Sequence, residues 1–91
     1  MSYKVQLSNR ADKYLDKAGK VVRKRVDDAL RDMVRYYEGA SEKVPDLNIM
    51  HGKYRGCLRL RIGSLRVILR MEKDRLIIFV IEIGPRGDVY E

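Results

Sequence analysis

Arg59, Arg61 and Arg66 are the residues of this chain whose types and spacing point most directly to chemistry. They lie in the stretch Leu58-Arg59-Leu60-Arg61-Ile62-Gly63-Ser64-Leu65-Arg66, where apolar residues alternate with arginine on both sides of Gly63-Ser64. A period of two marks a strand with one buried face. Gly-Ser between two such runs reads as a two-residue hairpin turn, with glycine supplying the positive φ. That turn sets a register: Ile62 faces Leu65, Arg61 faces Arg66, Leu60 faces Val67 and Arg59 faces Ile68. The apolar members then share one face of the sheet and the three arginines share the other. Like charges directly across a strand pair repel and cost stability. An anion between Arg61 and Arg66 removes the conflict, and planar guanidinium groups suit phosphate. The plainer reading is that both side chains splay into water, where their repulsion is weak.

The chain's end adds two more groups. Gly84 and Pro85 end the last strand, and the tail that follows carries Arg86 and Tyr90. Turned back, it sets both beside the arginines, where an aromatic ring among cations suits a nucleotide base stacked over bound phosphate. Tyr90 as a plug on the sheet is the structural alternative. The other reactive side chains carry less. His51 is a single loop histidine, more often polar surface than a base. Cys57, the one cysteine, permits no internal disulfide, and one His with one Cys does not make a zinc site.

Composition agrees with an anionic partner. Lys and Arg total 20 against 13 Asp and Glu, a net charge of +7, with a pI near 9.8. RNA, DNA or a ribosome fits such a balance. Hydrophobic residues at 45% and charged residues at 36% suit a folded soluble chain rather than a disordered one, and 91 residues make one domain, 1–91. Met1–Arg10 has no apolar core of a signal peptide, and no apolar run approaches the ~20 residues of a membrane span. A reducing cytoplasm and no membrane partner are expected.

The elements that must position the arginines follow from periodicity. Tyr3, Val5 and Leu7 alternate with polar residues as a first strand. Ser8 or Asn9 caps a helix with the stripe Ala11, Tyr14, Leu15 and Ala18, ended by Gly19. A second helix runs from about Lys20 to Tyr37 on the stripe Val22, Val26, Ala29, Leu30, Met33, Val34 and Tyr37. Its other face carries Arg23, Lys24, Arg25, Asp27, Asp28, Arg31, Asp32 and Arg35, a mixture that usually serves solvation. Residues 39–55 contain the breakers Gly39, Pro45, Asp46, Asn48 and Gly52 and read as irregular, with room for a helical turn or a functional loop. Beyond the hairpin, Lys73-Asp74 makes a second turn. Leu76 to Ile83 is apolar at every position but Glu82, as in a strand covered on both faces. If pairing stays regular, Ile77, Phe79, Ile81 and Ile83 fall on the arginine side. They are then covered in part by the tail or a partner, or by a minor second core with the 39–55 segment.

Strand, helix, helix and three strands in that order resemble the RelE/ParE superfamily of bacterial and archaeal toxins. The resemblance spans nearly the whole chain. It rests on Gly56-Cys57-Leu58-Arg59-Leu60-Arg61, on Gly63-Ser64-Leu65-Arg66-Val67-Ile68, and on Ile83-Gly84-Pro85-Arg86-Gly87-Asp88-Val89-Tyr90. It implies an α+β fold, β-α-α-β-β-β, with a two-helix hairpin packed on one face of a four-stranded, mainly antiparallel sheet. The RelE branch cleaves messenger RNA on the ribosome without metal or cofactor. In that likeness Arg59 and Arg61 stand where RelE has lysines, Arg66 opens the next strand, and Arg86 and Tyr90 belong to the closing motif. Pro85 stands where many relatives carry a basic residue or histidine.

The resemblance implies attack of the substrate's own 2′-OH on the adjacent phosphorus, giving a cyclic or 3′-phosphate and a 5′-OH. Arg61 and Arg66 would stabilise the transition-state charge, Arg86 the leaving oxygen, and Tyr90 a base. Lys53, Arg55, Arg23 and Lys24 are expected to contact RNA or the ribosome. The proton acceptor is the gap, because arginine keeps its proton. A co-encoded antitoxin is the implied protein partner. Two other readings use the same fold: a ParE-like inhibitor of DNA gyrase, and a non-catalytic RNA-binding or decayed toxin.

Overall fold

The computed structural model describes residues 3–85. In chain order they form β1 (Lys4–Leu7), α1 (Asn9–Ala18), α2 (Lys20–Tyr37), β2 (Leu47–Ile49), a 3-10 turn (Gly52–Tyr54), β3 (Leu58–Ile62), β4 (Leu65–Glu72) and β5 (Ile77–Pro85). The strands make one sheet in the order β1-β5-β4-β3-β2. β1 runs parallel to β5 and every other pair is antiparallel. The α+β class and the element order match the expectation from sequence. The sheet has five strands rather than four, because Leu47–Ile49 pairs with β3 as an extra edge strand. Three residues close behind Pro45, with Asn48 in their middle, are too few to show a period, so only their pairing with β3 reveals them.

Each helix forms where a stripe of apolar side chains meets the sheet. Ala11 and Leu15 of α1 and Val26, Leu30 and Met33 of α2 are buried against Leu60, Leu65, Val67, Leu69, Ile78, Val80 and Ile83. Burying a Leu, Val or Met side chain contributes about 1.5–3 kcal/mol, so these stripes hold the helical layer. Gly19 joins the helices with φ +98°, a backbone that residues with a Cβ rarely adopt. Arg23 adds a clasp: its Nη2 reaches Asp16 at 2.9 Å and Asp12 at 3.2 Å across the helical hairpin.

The start of α1 is tied to the sheet by one serine. Ser8 Oγ accepts from the Ala11 amide at 3.0 Å as the helix N-cap, and its hydroxyl donates to the Ile81 carbonyl at 2.6 Å. Ile81 is where β5 bulges. Ile68 pairs with Glu82 but Leu69 pairs with Val80, leaving Ile81 without an opposite residue. An extra residue in one strand reverses the facing of everything beyond it. Ile83 therefore lies in the helix-side core, 4% exposed, rather than on the arginine side. Glu82 takes the arginine side in its place.

The second face of the sheet carries its own small core. Met50, Cys57 and Ile68 are buried there, with Tyr54 and Ile81 packed on them. Within the described residues the cover over this face comes from the 39–55 segment, whose Met50 and Tyr54 pack on Cys57, Ile68 and Ile81; the expected cover by the tail lies outside the described residues. The second turn is also longer than two residues. β4 and β5 pair from Glu72 and Ile77, so residues 73–76 form the connection and Leu76 closes it at φ +54°. At its other end β5 pairs one residue beyond Gly84, to Pro85.

Candidate nucleic-acid interface

The β3–β4 hairpin has the register read from its turn, residue for residue: Ile62 with Leu65, Arg61 with Arg66, Leu60 with Val67 and Arg59 with Ile68. Gly63 turns at φ +58°, and a side chain there would collide with the Arg25 guanidinium, which reaches the hairpin tip from α2. Pairing with β5 extends two rows across the face away from the helices. One row is Arg61, Arg66 and Gly84; the next is Arg59, Ile68 and Glu82.

Arg66 is the centre of this arrangement. It is 5% exposed, the one buried charged residue among those described. Its Nε is buried with no hydrogen-bond partner, and the guanidinium makes no ion pair within the described residues. A buried unpaired cation costs several kcal/mol, so its surroundings favour an anion. Across the strand pair on one side stands Arg61, exposed and likewise without an ion pair among the described residues. On the other side stands Gly84, where a Cβ would meet no described atom within 4 Å. Arg66 therefore has a second guanidinium on one side of its row and bare β5 backbone on the other. Arg59, half-buried, flanks it in the next row.

The 3-10 turn closes one side. Tyr54 donates its hydroxyl to Glu82 Oε1 at 2.5 Å, and Arg10 of α1 donates from Nη1 to the same oxygen at 3.3 Å. The hydrogen bond to Glu82, then burial, then the Glu82 charge push the Tyr54 phenol above its usual range, against the opposing charges of Arg10 and Arg66. Tyr54 is thus a protonated donor beside the cluster. Lys53 lies over its ring at 5.6 Å, and Arg55 follows, exposed.

Of the residues singled out from sequence, Arg59, Arg61 and Arg66 share this face, and Lys53 and Arg55 flank Tyr54 in the 3-10 segment beside it. Arg23 and Lys24 do not: they lie on α2 in the opposite layer, Arg23 held by Asp12 and Asp16 and Lys24 paired to Asp28 at 2.9 Å. Arg86 and Tyr90 lie outside the described residues. His51 is exposed beside the 3-10 turn, and Cys57 is buried in the second core. Sequence reasoning passed over Glu82, Tyr54, Arg10 and Arg25. One signal was present for Glu82, a single charge inside an otherwise apolar strand. Among the described residues no group of three or more His, Cys, Asp or Glu side chains is placed to hold a metal ion, and no helix is long and apolar enough to cross a membrane.

Residues 5–90 match the family of ParE toxins of type II toxin–antitoxin systems. By sequence alone, no curated protein matches the chain. Among solved structures, the toxin–antitoxin complex RelBE2 from Mycobacterium tuberculosis superposes with a TM-score of 0.72 at 17% identity, over 94% of this chain and 100% of that one. The archaeal RelE–RelB complex from Pyrococcus horikoshii gives 0.71 at 26% identity, covering 98% and 100%. The isolated Escherichia coli RelE toxin gives 0.68 at 19% identity, covering 91% and 83%. Sheet order, helical hairpin and family match converge: the chain belongs to the ParE toxin family, within the RelE/ParE superfamily of type II toxin–antitoxin toxins.

Proposed function

We propose that this toxin is a metal-free endoribonuclease that cuts messenger RNA on the ribosome, acting in the cytoplasm and restrained by a co-encoded antitoxin. The observation that carries the reading is Arg66, nine-tenths buried and unpaired among the described residues, set between Arg61 and the bare backbone of Gly84. A phosphodiester seated there supplies the missing negative charge. Its phosphorus would be attacked by the neighbouring 2′-oxygen, and the two guanidinium groups would stabilise the added charge of the transition state. Preorganised donors of this kind are worth about 10²–10³ in rate each. Arg59 extends the anion site along the strand, and Lys53 and Arg55 hold the adjoining backbone. By resemblance, Arg86 serves the leaving 5′-oxygen and Tyr90 a base. Arg23 and Lys24, on the other layer, are assigned to ribosomal RNA rather than to the message.

The family's ParE members favour a second reading, a binding inhibitor of DNA gyrase. That role has no need of a buried, unpaired arginine facing a vacant glycine. Induction in cells separates the two. The nuclease produces new mRNA 5′ ends within translated frames, with cyclic or 3′-phosphate on the upstream fragment, and Arg66→Ala abolishes them. Accumulated gyrase–DNA breaks with no new mRNA ends would overturn the nuclease reading.

A further inference from the structure

Guanidinium groups and a protonated phenol can bind and stabilise a phosphodiester, yet neither readily takes a proton. Two described carboxylates of β4 and β5 stand on the same face: Glu72, held by Arg70 and Arg75 toward the far end of β4, and Glu82, one row from Arg66. The bulge at Ile81 turns Glu82 away from the helical core and sets it in the row next to Arg66 and Gly84. Diagonal neighbours on one face of a sheet lie roughly 7–8 Å apart, about the span from a bound phosphate's contact to the adjoining ribose hydroxyl.

The two oxygens of Glu82 differ. Tyr54 and Arg10 both donate to Oε1, and no described residue donates to Oε2. The side chain is 24% exposed. One oxygen is held and oriented by two donors while the other is left to accept.

We propose that Glu82 is the proton acceptor of this site, its Oε2 taking the proton of the ribose 2′-OH while Tyr54 and Arg10 hold Oε1 in place. The inference rests on the nuclease reading above. The 2′-oxygen lone pair forms the bond to phosphorus, and the P–O5′ bond breaks with its electron pair going to O5′. The proton taken by Glu82 returns through solvent to O5′, leaving a 2′,3′-cyclic phosphate, a 5′-OH and the ionised carboxylate. Tyr54 and Arg10 are positioning residues. Charge from Arg66 and Arg61 keeps the carboxylate's environment cationic, so substrate phosphate and proton acceptor occupy one face without repelling each other.

The full chain is tested on messenger RNA bound to translating ribosomes. Glu82→Gln preserves an acceptor for Tyr54 and removes the basic oxygen. It is expected to lower the cleavage rate by about 10²–10⁴, the usual worth of a general base, with the thermal midpoint nearly unchanged. Glu82→Ala is expected to be equally slow and to regain activity with added formate, a rescue that a merely structural carboxylate would not show. Tyr54→Phe should lower the rate less than either. If Glu82→Gln cleaves like the unsubstituted toxin, or Glu82→Ala is slow but indifferent to formate, Glu82 is not the acceptor and the nuclease reading stands without it. If the unsubstituted toxin leaves no cuts, the nuclease reading fails and takes this inference with it.

Discussion

Arg66 sets function against stability at a single position. A buried guanidinium without a partner lowers the stability of the fold, and an apolar side chain of similar length relieves the penalty. Arg66→Met is therefore expected to abolish RNA cleavage while leaving the thermal midpoint unchanged or raising it. A midpoint lowered by many degrees would mean that the arginine is satisfied in the free protein and has no call on a ligand. Tyr54 makes a prediction in pH. Its phenol is held above the ordinary tyrosine value, near 10, by the hydrogen bond to Glu82 first and by burial second. A raised value stabilises the fold fully below the unfolded value and loses that contribution as pH climbs through the folded one. The stability difference between the native chain and Tyr54→Phe should thus narrow as pH rises above the ordinary tyrosine value, near 10. Melting curves across that range check it, and a constant difference would deny the coupling. Tyr37, raised chiefly by burial, adds a separate alkaline loss common to both proteins.

At the scale of elements, the bulge in β5 is what converts a hydrophobic strand into part of a site. It leaves Val80 and Ile83 in the helix-side core and brings Glu82 and Gly84 out to the arginines. Ser8 holds both sides of this arrangement, capping α1 and bonding the Ile81 carbonyl from 73 residues away. Ser8→Ala removes a cap and a part-buried hydrogen bond, together about 1–3 kcal/mol. Chemical denaturation should read that loss, and cleavage should fall as well, because β5 is freed to shift its register. Loss of stability with undiminished cleavage would show that the bulge holds without the serine. The helical hairpin has the complementary role. Its clasp, Arg23 on Asp12 and Asp16, and its apolar stripes keep the helices on the opposite face of the sheet from the arginines.

Across the whole molecule, the sheet separates two tasks. One face carries the main core under α1 and α2; the other carries a small core beside a field of cations with Glu82 among them. A net charge of +7 concentrates affinity for polyanions. With about five cations engaged, the affinity for single-stranded RNA should fall with salt at a log–log slope of roughly −3 to −4, and Arg66→Ala should reduce it by about 0.7. Filter binding at several salt concentrations measures both. A slope near zero would place the RNA somewhere other than this face.

The hairpin register, both helical stripes and the grouping of three arginines were legible in the linear chain. Each depends on neighbours within a few residues: the alternation around Gly63-Ser64, and apolar side chains recurring every three or four positions in α1 and α2. Other features were set by groups remote in sequence. β2 exists because β3 offers an edge to three otherwise unpatterned residues, and the Ile81 bulge is held by a hydroxyl from the first helix cap. Glu82 reached the arginine face only through that bulge, and Tyr54 reached Glu82 only when the 39–55 segment folded over the sheet. Local sterics and periodicity act along the chain and can be read from it. Register between distant strands, and the meeting of a loop with a sheet, follow from packing, which no short window of residues contains.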